Sequence, residues 1–325
     1  MNKTGIEWSD YSWNPITGCY HGCEYCYAER MTKRFSGDVR NNMLDEKCET
    51  AFGIFVLDTP FKTQNGTISN YPFGFLPTYH KYRLDWPEKV KNGVNIFVGS
   101  MADIFGAWIP DCMIREIFDH CRKYKQHNYL FLTKNPQRYI DLASNNLLPE
   151  DKNMWFGTST PTPDTQFFYS DKHNTFLSIE PLLSEFDSTQ ELNTNWVIIG
   201  AETGNRKNKV IPKKQWIDNI VSSCRRNNIP VFMKDSLIPI IGEENMLREF
   251  PKKLTNKMIS EKQRNKLFDK CMYCGCELRM KDMIALLYRE KRGESSKRLG
   301  YVCETCFKEK FGGALSEKTQ LQNDE

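Results

Sequence analysis

Long apolar runs are missing from this chain of 325 residues. No stretch reaches the roughly eighteen apolar residues that a helical membrane span needs. The polar N-terminus lacks the apolar core of a secretory signal. A strong charge of one sign is missing too. The 45 Lys+Arg against 41 Asp+Glu leave a net +4, which by itself marks no nucleic-acid binder. Histidine is scarce, at 5 residues. His80, His120, His127 and His173 stand isolated and read as packing or surface residues rather than ligands. Apolar residues are not scarce. At 39% they suffice for one large α/β core with a small appendage.

Cysteine is plentiful, at 12 residues. A small secreted protein would spend them on disulfides. Here only Cys48, Cys112, Cys121 and Cys224 are scattered, and the others fall into two clusters. That pattern points to a reducing, cytoplasmic setting and to metal chemistry.

The first cluster is the Cys-x3-Cys-x2-Cys run of Cys19, Cys23 and Cys26. Three thiolates are one short of a closed structural zinc site. They suit a [4Fe–4S] cluster that keeps one iron open for a small molecule. The competing reading is zinc with His21 as fourth ligand, although His21 lies cramped within the loop itself.

The second cluster pairs Cys271 and Cys274 with Cys303 and Cys306. Two Cys-x2-Cys turns give a closed four-sulfur tetrahedron, the structural zinc pattern, with a second iron–sulfur cluster as the alternative. Cys276 is a fifth thiol able to compete with Cys274. So small a domain has little core, and its metal would supply much of its folding energy. From 251 onward the chain holds 17 Lys+Arg against 11 Asp+Glu, and before that 28 against 30. The positive balance therefore sits in the tail, around Lys270, Arg279, Lys281, Arg289, Lys291, Arg292, Lys297 and Arg298. Such a rim fits either nucleic acid or a docking partner.

Between the clusters a unit repeats in pattern. Apolar runs at 95–100, 129–134, 154–159, 175–180, 196–202 and 230–235 each stop abruptly in polar residues. Their starts lie about 20 to 35 residues apart, the length of a βα unit. Continuous apolar runs suit parallel strands covered on both faces. Ile114, Ile117, Phe118 and Cys121 give a helical stripe after Pro110, and Trp216, Ile217, Ile220, Val221 and Cys224 give another. A first strand is expected at about 11–16, feeding the cysteine loop, and a first helix at about 27–35. The expected fold is α/β, a partial (β/α) TIM-like barrel over 1–240 with a small zinc-ribbon-like domain. Residues 36–92 read as an insertion, 241–268 as a linker and 269–325 as the four-cysteine domain with a polar tail.

The aromatic Tyr25 before the last cysteine makes the first motif similar to that of the radical S-adenosylmethionine (SAM) enzymes. Ile6-Glu7-Trp8-Ser9-Asp10, Trp13-Asn14-Pro15-Ile16-Thr17-Gly18-Cys19 and Cys26-Tyr27-Ala28-Glu29-Arg30-Met31 resemble the opening of the phage Gp37/Gp68 family, a radical-SAM-like group. The likeness continues through Ser178 to Leu183 and Gly200 to Gly204. It implies a barrel of the radical SAM type in which SAM chelates the open iron. One electron, from a flavodoxin- or ferredoxin-type donor, then cleaves SAM to methionine and a 5′-deoxyadenosyl radical that abstracts hydrogen from the substrate.

Function collects at the C-terminal ends of barrel strands, where the polar stops lie. Ser100 or Asp103 would stand in for the Gly-Gly-Glu that often holds the methionine amino group. Tyr25 would lie near the adenine. Thr158 and Ser159 would reach ribose or carboxylate. Glu180 and Glu202 would touch adenosine or substrate, or form ion pairs with Lys134 or Lys234. No residue is assigned to the chemical step. The phage-type resemblance and the basic tail suggest a nucleic acid or nucleotide as substrate. A metal-stabilised nucleic-acid-binding protein without turnover, and a radical enzyme acting on a peptide or partner protein, are the other two readings.

Overall fold

The computed structural model describes residues 2–43, 49–254, 268–279, 283–288 and 297–311. The chain divides into two compact units, Met1–Asn256 and Lys257–Glu325. No helix among the described residues is long and apolar enough to cross a membrane.

The first unit has twelve described strands. In chain order they are β1 (Asn2–Lys3), β2 (Tyr11–Trp13), β3 (Ile16–Thr17), β4 (Glu49–Ala51), β5 (Ile54–Leu57) and β6 (Thr78–His80). Then follow β7 (Asn95–Val98), β8 (Asn128–Thr133), β9 (Met154–Ser159), β10 (Asn174–Ile179), β11 (Val197–Ile199) and β12 (Val231–Met233). Its helices are α1 (Tyr27–Phe35), α2 (Val39–Met43), α3 (Asp111–Lys123), α4 (Pro136–Ser144), α5 (Lys214–Arg226) and α6 (Ile238–Ile241).

The main sheet runs in the order β1-β2-β7-β8-β9-β10-β11-β12. Every pair is parallel except β1 with β2. The parallel strands follow one another in sequence order, and β1 and β12 are the edges of the sheet rather than partners.

Successive side chains on a strand point to opposite faces, and this pleat sorts the core. On one face Ile96, Val98, Tyr129, Phe131 and Phe156 pack with Ile114, Ile117 and Phe118 of α3. Farther along, Leu177, Ile179, Val197, Ile199 and Val231 pack with Ile217, Ile220 and Cys224 of α5. The alternate residues Phe97, Leu130, Trp155, Phe176, Ile198 and Phe232 form a separate cluster with Trp8, Trp196 and Leu254. Both faces are therefore covered, which is why these strands read as unbroken apolar runs. The second face, however, is closed by a turn and a short 3-10 helix rather than by an α-helix. Its cover comes from Trp8 and from residues 250–254, and Asn95 Nδ2 donates to the Leu254 carbonyl at 2.8 Å. Residues 241–254, the first half of the segment read as a linker, thus pack on the sheet.

The insertion at 36–92 contributes a second sheet, ordered β3-β6-β5-β4. β3 leaves the end of β2 and pairs antiparallel with β6. Thr17 Oγ1 lies 2.9 Å from Nε2 of the fully buried His80, and Phe55 stacks on Phe73 with centroids 3.8 Å apart. The small sheet holds the cysteine loop from the side opposite the main sheet.

In the second unit, β13 (Phe268–Lys270) pairs with β14 (Glu277–Arg279), and β15 (Met283–Tyr288) pairs with β16 (Lys297–Cys303). α7 (Glu304–Phe311) follows directly.

Candidate functional site

The Trp-Asn-Pro motif fixes where the cysteine loop begins. Trp13 is fully buried, and its indole N–H donates to the Arg83 carbonyl at 2.7 Å. The neighbouring Asn14 amide turns to the end of β7. Its Nδ2 donates to Ser100 Oγ at 3.1 Å and its Oδ1 accepts from Met101 N at 3.1 Å. Gly18 N then donates to Met101 O at 2.9 Å, and Cys19 N to Phe75 O at 3.1 Å. Gly18 has φ +89°, and a Cβ there would come 2.3 Å from Leu76 O. Only glycine fits this passage between the two sheets. The loop ends at Cys26, the N-cap of α1, whose Sγ accepts from Glu29 N at 3.4 Å. The positive end of the helix dipole thus faces this sulfur.

Cys19, Cys23 and Cys26 line a cavity of about 440 Å³, within the range of small-molecule sites. The same cavity is lined by Tyr25, Ser100, Asp103, Ser159, Glu180 and Glu202, together with Lys134, Ser178 and Lys234. Strand pleating explains the set. Ser159, Ser178 and Glu180 follow Trp155 and Phe176 at even spacing, so they share the face that bears the aromatic cluster. Thr158 is the exception among the expected residues. It lies one position off, on the helix-covered face, where it is fully buried and its Oγ1 accepts from Phe168 N at 3.2 Å. It does not reach the cavity.

The polar lining is heavily partnered. Asp103 Oδ2 lies 2.7 Å from His21 Nε2. The same carboxylate accepts from Thr133 Oγ1 at 2.8 and 2.9 Å, from Lys134 N at 2.9 Å and from Phe105 N at 3.0 Å. With both oxygens so used, Asp103 holds the cysteine loop to the strand ends. Lys134 Nζ donates to Tyr25 Oη at 2.9 Å and to Ser159 Oγ at 3.1 Å. Lys234 Nζ donates to Glu180 Oε1. Arg206 grips the buried Glu202 through Nε and Nη2 at 2.7 and 2.8 Å, which holds that carboxyl below its ordinary range, and it also reaches Glu24 at 3.1 Å. Asn14 and Arg206 went unassigned in the sequence reading, and His21 was weighed there only as a fourth zinc ligand. Asn14 had a local signal, its place between Trp13 and the cysteine loop, and Arg206 had none.

Burial pushes the Cys19 thiol up to about 11, against backbone N–H groups of His21 and Asp103 that act the other way. Burial also raises Cys23, with Lys134 opposing it. Such thiols ionise readily only when a positive centre joins them. The donor set has the right chemistry for an iron–sulfur cluster. Among the described residues, Cys271, Cys274, Cys276 and Cys303 of the second unit form a compact donor group, with ligand atoms within 4.8 Å of one another. In the first cysteine loop His21 is engaged with Asp103.

In the second unit Cys274 and Cys303 sulfurs lie 3.8 Å apart. The Cys271–Gly275 turn, closed by Gly275 N to Cys271 O at 2.9 Å, also carries Cys276 inward, since Cys271 N donates to Cys276 O at 2.9 Å. Cys276 therefore joins Cys271, Cys274 and Cys303 in a compact donor group, as the fifth thiol beside the four that the spacing pairs. Cys306 remains close, with its backbone N donating to Cys303 Sγ at 3.4 Å. The N–H of Cys274 draws the Cys271 thiol down to about 6, and this group of four cysteines could bind a metal. Lys281, Arg289, Lys291 and Arg292 of the basic rim lie outside the described residues.

The solved structure of a spore photoproduct lyase mutant is similar at 10% identity and a TM-score of 0.36, covering 96% of this chain and 77% of that one. No curated protein matches the sequence. The family model described as "Protein of unknown function (DUF5131)" matches residues 3–266, most of the chain and all of the cavity, and the chain belongs to that family.

Proposed function

We propose that this chain is a radical SAM enzyme built on a partial α/β barrel, acting on a nucleic acid or nucleotide. The observation that carries the reading is the meeting of three thiols with polar strand ends around one small-molecule cavity. Cys19, Cys23 and Cys26 would hold a [4Fe–4S] cluster. When bound, that cluster supplies the low-potential electron for reductive cleavage of SAM.

The chain's own residues do the rest. Cys26 presents its sulfur at the head of α1, and the His21–Asp103 bond fixes the loop that carries Cys19 and Cys23. Ser100, Ser159 and the Glu180–Lys234 pair offer hydrogen bonds to the polar ends of SAM, and Tyr25, steadied by Lys134, offers a flat face for the adenine. Phe75, Phe97 and Leu132 line the same space and exclude water. The 3.8 Å approach of Cys274 to Cys303 supports zinc in the second unit, and so disfavours the peptide-modifying reading, which calls for a further iron–sulfur cluster there.

Anaerobic reconstitution with iron and sulfide, reduction, and incubation with SAM should yield 5′-deoxyadenosine and methionine. Replacing Cys19, Cys23 or Cys26 by Ala should abolish both products. A fully loaded, reduced protein that leaves SAM intact overturns the proposal.

A further inference from the structure

Helix α1 buries little of itself. Only Ala28 and Thr32 are buried, whereas Tyr27, Met31 and Phe35, at i, i+4 and i+8, are 48%, 44% and 56% exposed. An apolar stripe on one exposed helical face marks a binding surface. This stripe joins two cavities. Tyr27 lines the cysteine cavity, and Met31 and Phe35 line a second one of about 440 Å³ walled by Ile68, Ser69, Asn70 and Tyr71.

The second cavity is built for a polar ligand as well as an apolar one. Ser69 is 7% exposed, and its Oγ has no hydrogen-bond partner. A buried hydroxyl left this way is costly unless something bonds to it. No carboxylate lines this cavity among the described residues. The flanking charge is positive. Glu29, the one acid of α1, is taken by Lys33 at 2.7 Å, which leaves Arg30 and Arg34 exposed beside the stripe. Arg34 lies over the Phe35 ring, 5.3 Å from its centroid, and the Arg30 guanidinium lies beside Gly204, in the loop that carries Glu202 to the cavity mouth.

We infer that this face is a track for single-stranded nucleic acid. One base would stack on Phe35 and bond to Ser69 in the second cavity, phosphates would meet Arg30 and Arg34, and the strand would pass Tyr27 into the cysteine cavity. From Tyr27 to Phe35 the helix spans about 12 Å. Aromatic faces and arginines are the means by which proteins hold single strands. The role as a substrate track rests on the radical-enzyme reading; the binding surface does not.

The test is fluorescence anisotropy of a labelled 12-nucleotide single strand, as DNA and as RNA, with the full cluster-loaded chain and no SAM. Failure of SAM cleavage therefore leaves this result standing, and the converse also holds. Phe35→Ala should weaken binding about fivefold or more at unchanged salt slope. Phe35→Tyr should restore it. The Arg30→Glu, Arg34→Glu double variant should weaken binding about tenfold or more and lower the salt slope by about two. Ser69→Ala should weaken binding of the normal strand and leave an abasic strand unaffected. Equal binding by all variants, which would confine the contact to the tail, overturns the inference. So does a polyglutamate peptide that binds as well as the oligonucleotide and loses affinity in the same variants.

Discussion

His21, inside the cysteine loop, lies 2.7 Å from Asp103 at the end of the neighbouring strand. Four protein groups converge on that carboxylate from three chain segments: the His21 ring, the Thr133 hydroxyl and the backbone N–H groups of Phe105 and Lys134. The loop that carries the sulfurs is thereby tied to the strand ends.

Asp103→Ala should leave buried donors without an acceptor and cost about 3 kcal/mol of stability. Asp103→Asn, which keeps one acceptor oxygen, should cost less. Urea midpoints measure both, and iron bound per chain should fall in the same order.

Gly18→Ala places a methyl 2.3 Å from the Leu76 carbonyl at a backbone angle that disfavours side chains. The two sheets must part or the loop must shift. A loss of about 2–4 kcal/mol is expected, together with loss of reconstituted cluster absorbance. An unchanged melting temperature with full iron loading would refute this account of the loop.

The Glu202–Arg206 pair sets a pH dependence. The folded-state pKa of Glu202 is depressed, with the Arg206 hydrogen bonds as the leading cause. The unfolded chain therefore binds this proton more tightly. The stabilising contribution is complete above the unfolded value of about 4.3 and is lost as pH falls through the lower folded value. Urea unfolding between pH 3 and 7 should show a stability loss on the acid side that Glu202→Gln lacks.

Removal of metal should separate the two units. Chelation is expected to raise hydrogen exchange in β13 to α7, because the described core of that unit consists of cysteines and a few neighbours. The first unit should keep its protection. Cys274→Ala and Cys303→Ala, whose sulfurs lie 3.8 Å apart, should each lower zinc affinity.

The parallel sheet was legible because its strands are apolar on both faces, and the helices after Pro110 and Pro212 because their stripes have the helical period. The pleat decides what periodicity alone left open. Ser159 and Thr158 are adjacent and chemically alike, yet one faces the cavity and the other packs beneath a helix. The small sheet at 36–92 was not legible, because strands of three or four residues such as Thr78–His80 carry no alternation. Nor could local pattern show the partners of Asp103 and Glu202, which depend on contacts closed by the fold. In the second unit the paired Cys-x2-Cys spacing pointed to four thiols that do meet, and the tight Cys271–Gly275 turn brings Cys276 in beside them.

The most direct test is electron paramagnetic resonance of the reduced, reconstituted chain with and without SAM. An open iron predicts a [4Fe–4S]⁺ signal whose g-values shift when SAM is added, and whose loss accompanies replacement of Cys19, Cys23 or Cys26. A signal indifferent to SAM, or a triad that binds only zinc, would contradict the account.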